Sequence, residues 1–142
     1  MARNSVLSSD AAVEKIRRLI PASVRPKLPR RIVVVSVSRS RSRALNRAYR
    51  KKDHPANVLS FRYGISYGEI LLCAPMIRAE ARSERQPVRK QMTRMILHAM
   101  IHLARMHHEQ SPRAARRVRS IEQQIIRKLF SKDHETRVKN CE

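Results

Sequence analysis

The sequence predicts one α/β domain, a small mixed sheet with helices packed on it and a central helix lining a cleft. Three observations predict it. Residues 31–37 form a β-branched, nearly all-apolar run, which reads as a buried strand. The stretches 57–62 and 69–73 lie either side of a short turn that holds Gly64 and Gly68, which predicts two strands of an antiparallel hairpin. Apolar residues recur at helical spacing before, between and after these strands.

The elements follow in order. Ser9-Asp10 offers a helix N-cap before Ala11, Val13, Ile16, Leu19 and Ile20, and Pro21 closes that helix. Residues 21–29 hold three prolines and read as a connector. Residues 38–52 carry Ala44, Leu45, Ala48 and Tyr49 at helical spacing among Arg39, Arg41, Arg43, Arg47 and Arg50, a short basic helix. Asp53-His54-Pro55 ends it, because proline disfavours helix in the residue before it. Residues 75–85 predict a modest helix. Pro87 opens a longer one at a favoured first helical position, with Val88, Met92, Met95, Ile96, Ala99, Leu103 and Met106 forming its stripe. Ser111-Pro112 caps a last helix with the stripe Val118, Ile121, Ile125 and Leu129. The core spans about residues 9–130 of a single domain covering 1–142, and 131–142 reads as a polar, frayed tail.

Composition narrows the function. The 142 residues include 32 Lys and Arg against 11 Asp and Glu, a net charge of +21. Such a charge repels itself unless anions are near, and lysine and arginine bind nucleic acid by displacing its condensed counterions. Nucleic acid or a ribosomal surface is therefore the expected partner. Hydrophobic residues make up 42% and aromatics 4%, so the core is built from Val, Ile, Leu, Met and Ala. No run approaches the ~20 apolar residues of a membrane span, and the N-terminus has no apolar signal core. Cys73 lies in an apolar run and Cys141 in the polar tail, without metal-ligand spacing, which fits a reducing cytoplasm.

Four of the six histidines fall between residues 98 and 108. At ~100° per residue, His98 and His102 differ by only ~40° around a helix and share one face. Two imidazoles so placed can bind one divalent metal. His108 reaches the same ion only if the helix ends near Arg105 or Met106 and the chain folds back. On spacing alone, either His107 or His108 could supply the third ring. Three neutral imidazoles leave a fourth position open for water or a phosphate oxygen. Ala99 stands where zinc peptidases carry their glutamate base, which argues against a peptidase.

The run His98-Ala99-Met100-Ile101-His102-Leu103-Ala104-Arg105-Met106-His107-His108 resembles the H-G-x-x-H-L-x-G-x-D-H signature of the YbeY family. A second stretch, Leu45-Asn46-Arg47-Ala48-Tyr49-Arg50-Lys51-Lys52-Asp53-His54-Pro55-Ala56-Asn57-Val58-Leu59-Ser60-Phe61, resembles that family's L-N-x-x-Y-R-x-x-D-x-P-T-D-V-L-S-F. Gly68-Glu69-Ile70 resembles the following G-D-I strand, and the segment 118–126, with Glu122, the closing helix. The likeness covers roughly residues 30–130 in one order.

The resemblance implies a sheet of about four strands with one antiparallel edge. It implies a metal-dependent single-strand endoribonuclease in rRNA maturation and ribosome quality control, with one Zn²⁺ held by His98, His102 and His108. It implies Arg50 as the basic residue that acts on the scissile phosphate. Arg39, Arg41, Arg43 and Arg47, with Arg113 and Arg116, would track the RNA backbone. Expected partners are RNA, above all rRNA, and the ribosome, with no membrane and no nucleotide cofactor. Tyr63 and Tyr67 read first as a cross-strand pair and only weakly as a base-stacking site. The chain departs from the family pattern at Ala99 and Arg105, where the pattern has glycine, at His107, Ala56 and Asn57, and at Glu69. The competing reading is a non-catalytic RNA- or ribosome-binding protein with a vestigial or structural metal site. A third is a metal-dependent hydrolase of another phosphate ester.

Overall fold

A computed structural model describes residues 2–105 and 111–140, with side chains described for 9–105 and 111–131. The order of elements is α1 (Ala2–Leu19), a 3₁₀ turn (Arg25–Lys27), β1 (Arg31–Ser36), α2 (Arg39–Arg50), β2 (Val58–Tyr63), β3 (Tyr67–Leu72), α3 (Ala74–Ser83), α4 (Val88–Leu103) and α5 (Pro112–Asn140). Among the described residues the sheet has three strands in the order β1-β3-β2, not the expected four. Among the described residues only three segments form strands; those before Arg31 form α1 and a proline-rich turn. β3 is central. It runs parallel to β1, from Arg31↔Tyr67 to Ser36↔Leu72, and antiparallel to β2, from Val58↔Leu72 to Tyr63↔Tyr67. The mixed sheet, its hairpin and its antiparallel edge follow the sequence expectation.

One face of the sheet carries the core. Ile32 and Val34 of β1 and Ile70 and Leu72 of β3 are buried there with Val13 and Ile16 of α1, with Ile20 just after it, and with Ile96, Met100 and Leu103 of α4. Val118, Ile121 and Ile125 of α5 close the same cluster. β1 is less buried than its apolar run predicts. As an edge strand it buries alternate residues, and Val35 stays 43% exposed. α4 is buried around most of its circumference: Leu97, Ile101, Thr93 and Gln91 join the predicted stripe, while Val88 is exposed. Pro87 stands just outside α4, at its N-cap.

Other boundaries also differ. α1 starts at Ala2, so Ser9 and Asp10 lie inside it rather than capping it; local cap preference is only a weak prior on where a helix begins. α5 runs to Asn140, through the segment read as a frayed tail. Its start is as expected, with Ser111 Oγ accepting from the Ala114 N–H.

α2 turns a different face inward from the one its apolar spacing predicts. Ser42 and Asn46 are its buried residues, while Ala44, Ala48 and Tyr49 are exposed. Hydrogen bonding explains this. Ser42 Oγ donates to the Ala56 carbonyl at 2.6 Å and accepts from the Ala56 N–H at 2.9 Å. Asn46 Nδ2 donates to the His54 carbonyl at 2.8 Å. Leaving those loop groups buried and unpaired would cost more than burying two alanines gains. Arg43 adds a two-pronged ion pair to Asp53, at 2.9 and 3.1 Å. Those hydrogen bonds hold the Asp53 carboxyl below the usual carboxylate range. A depressed pKa contributes stability above the ordinary Asp value that is lost as pH falls through the folded value; the pair is fully exposed, so the effect is small.

The end of α4 decides how the site is built. Its C-cap is Ala104, and Arg105 adopts φ 60, the left-handed conformation that glycine takes most cheaply. Arg62 of β2 donates to the Leu103 carbonyl, to the Lys27 carbonyl at 2.6 Å and to the Gly64 carbonyl at 2.9 Å. Gly68 lets Leu103 close on β3, since a Cβ there would stand 3.0 Å from Pro29 Cγ and 3.3 Å from Leu103 Cδ1. Arg105→Gly is predicted to stabilise the fold by about 1 kcal/mol in denaturant titration, by removing the left-handed side-chain penalty. An unchanged or lower midpoint would mean that the Arg105 side chain is itself needed.

Candidate metal centre and nucleic-acid cleft

α4 presents His98 and His102 on one face, four residues apart, each half-buried. Their rings meet edge-on with centroids 4.6 Å apart, and the two Nε2 atoms are 3.1 Å apart. Such a separation serves either an N–H···N hydrogen bond or joint ligation of one cation. Two imidazole nitrogens on a tetrahedral zinc at ~2.0–2.1 Å lie about 3.3–3.4 Å apart, so the pair needs little movement to share an ion.

Glu122 of α5 sets the chemistry of this pair. Its Oε1 lies 3.0 Å from His98 Nδ1. An ionised carboxylate accepts only, so Nδ1 carries the proton and, in the neutral ring, Nε2 is left with its lone pair. That lone pair is directed at His102. Carboxylate-to-imidazole support of this kind fixes tautomer and orientation at metal sites. The sequence reading placed Glu122 on the closing helix but gave it no role, since its partner lies 24 residues away. The available signal was an acidic residue beside Ile121 on the buried edge of a chain poor in acids.

His107 and His108 lie outside the described residues, so the expected third ligand is not placed. Among the described residues no three His, Cys, Asp or Glu side chains converge as a cation site; Glu122 engages the far side of the His98 ring. The donor set present, two nitrogens with a supporting carboxylate, fits a borderline ion such as Zn²⁺.

The pair opens into a cleft of about 640 Å³, lined by Tyr49 and Arg50 of α2, by residues 56–61 and by His98, Ala99 and His102. The docking of α2 through Ser42 and Asn46 is what brings Arg50 to this cleft. Asn57, on its wall, donates through Nδ2 to both Glu80 carboxylate oxygens at 3.2 Å. An Asp at that position would set two carboxylates against each other, which accounts for the amide here.

Arg39, Arg41, Arg47, Arg113 and Arg116 are exposed on α2 and α5. Arg43 is exposed too, but its guanidinium is engaged by Asp53. Tyr63 and Tyr67 pair across the hairpin with centroids 5.7 Å apart and do not line the cleft. No helix among the described residues is long and apolar enough to cross a membrane.

Fold and site together define a mixed α/β domain with paired, carboxylate-supported imidazoles in a cleft that one arginine, Arg50, also lines. Comparison with known proteins gives the family. The model of the family "Endoribonuclease YbeY" matches residues 4–130. The Endoribonuclease YbeY of Burkholderia cenocepacia (strain HI2424) is 32% identical over 120 residues, covering 80% of this chain and 70% of that one. That of Aromatoleum aromaticum is 33% identical over 131 residues, covering 90% and 82%. The solution structure of TM1509 from Thermotoga maritima shares the fold, with TM-score 0.59 and 21% identity over 89% of this chain and 87% of that one. The chain belongs to the Endoribonuclease YbeY family.

Glu122→Ala is predicted to weaken zinc affinity about 10- to 100-fold in competition with a chromogenic chelator, because His98 loses its orienting partner. Affinity equal to that of the native chain would show that Glu122 does not serve the pair.

Proposed function

We propose that this protein is a metal-dependent endoribonuclease that cuts single-stranded RNA in the cytoplasm, serving rRNA maturation and ribosome quality control. The observation that carries this reading is the pairing of His98 and His102 Nε2 atoms in a cleft that Arg50 also lines. Family membership, with relatives named as endoribonucleases, supports RNA as substrate. The charge of +21 supports a polyanion.

His98 and His102, with His108 as the third ligand, would hold one Zn²⁺. When bound, such an ion supplies Lewis-acid polarisation at a phosphate oxygen or a water. The chain's own residues do the rest. Glu122 keeps the His98 Nδ1 proton in place. Arg50 binds the non-bridging oxygens and stabilises the charge that develops on the phosphate in the transition state. Arg39, Arg41 and Arg47, with Arg113 and Arg116, bind flanking phosphates, and rRNA within the ribosome is the natural target of such a surface. Arg43 joins them only where RNA displaces Asp53.

Purified native protein is expected to carry about one metal ion per chain, as a three-ligand site requires, and to cleave single-stranded RNA. His98→Ala should lose both. Arg50→Ala should keep the metal and lose about 100-fold or more in rate, the scale for removing a transition-state charge contact. RNA binding without turnover by the metal-loaded native protein would instead support a non-catalytic binder.

A further inference from the structure

The chain has only five aromatic residues, two Phe and three Tyr; none is among the buried core residues, and Phe130 alone packs partly against that core. Tyr63 and Tyr67 face each other at the hairpin end. Phe130 on α5 lies under Arg89 and Lys90. The remaining two, Tyr49 and Phe61, meet in the cleft beside the histidine pair.

Tyr49 is 68% exposed, a costly position for a large ring, and one that the apolar spacing of α2 would have avoided. The helix turns it outward because its buried face is the Ser42 and Asn46 hydrogen-bonded clamp. Phe61 holds the ring in place, with centroids 5.1 Å apart and an interplanar angle of 67°, the favoured edge-to-face geometry. Arg50 follows Tyr49 directly on α2 and lines the same cleft. An aromatic surface next to a cationic phosphate contact is the combination that binds an unpaired nucleobase and its backbone. Bases within a duplex are already stacked on their neighbours and cannot offer a face to the ring.

We infer that Tyr49, braced by Phe61, is a stacking platform for an unpaired nucleobase of the RNA strand whose phosphate Arg50 binds. The inference rests on the proposed function and adds the recognition element that selects single strands. It is tolerant of base identity, because every base presents a π face.

The test uses the full chain and a short single-stranded RNA carrying one fluorescent adenine analogue, titrated in the presence of a chelator so that no cleavage intervenes. Stacking on an aromatic ring quenches the analogue. The native protein is expected to quench it saturably, and to leave the same analogue unchanged in a duplex. Tyr49→Leu should abolish the quench and weaken binding roughly 5- to 150-fold, the range for losing one base–aromatic stack. Tyr49→Phe should retain both, and Tyr63→Leu should behave as native. Tyr49→Gln serves as a second variant, with thermal melting to confirm that each variant folds. Quench and affinity unchanged in Tyr49→Leu would overturn the platform even if the protein cleaves RNA. A Tyr49-dependent quench in a protein that never cleaves would uphold the platform and sink the nuclease reading. No saturable RNA binding by the native chain would overturn both.

Discussion

The termination of α4 at Leu103 is the constraint on which the site depends. Two imidazoles one helical turn apart define a direction, but a cation needs more donors than one helix face can supply. The chain must leave the helix at once for a third residue to approach. Several elements impose that exit together. Arg62 takes the Leu103 carbonyl, as a cation near a helix C-terminus is well placed to do. Gly68 allows Leu103 to press against β3 and Pro29. Arg105 accepts a left-handed conformation. The hairpin, the proline-rich connector and α4 are thus locked at one point, and loosening any of them would move the exit.

A second junction, between α2 and the loop before β2, builds the opposite wall of the cleft. It is polar where a helix–sheet contact is usually apolar. Ser42 and Asn46 satisfy loop backbone groups that would otherwise be buried without partners. Polar pairing is directional, so it fixes the rotation of α2 about its axis more tightly than a stripe of alanines would. That rotation delivers Tyr49 and Arg50 to the cleft. The net charge of +21 attracts polyanions at long range, and the cleft sets the geometry.

Much of this was legible in the sequence. The β-branched run 31–37 points to β1, two strand-like stretches around a short glycine-containing turn point to the hairpin, and helical spacing points to α4 and α5. The spacing of His98 and His102 placed two rings together, and the need for a helix end near Arg105 followed from the position of His108. What was not legible came from contacts distant in sequence or polar in character. The α2 apolar stripe was misleading because hydrogen bonds, not apolar area, orient that helix. The role of Glu122 is not legible locally, because its partner His98 lies 24 residues away on another helix. The fourth strand was implied by a family resemblance, and none of the described residues forms it. The early start of α1 and the long α5 show both helices running on through the local end signals.

The most direct test of this account is zinc X-ray absorption on the full chain loaded with one equivalent of the metal. The account predicts a single environment of three imidazole nitrogens at about 2.0–2.1 Å, completed by one light oxygen donor. A spectrum with sulfur ligation, or with fewer than three imidazoles, would contradict it, because the exit from α4 would then have failed to bring the third ring to the pair.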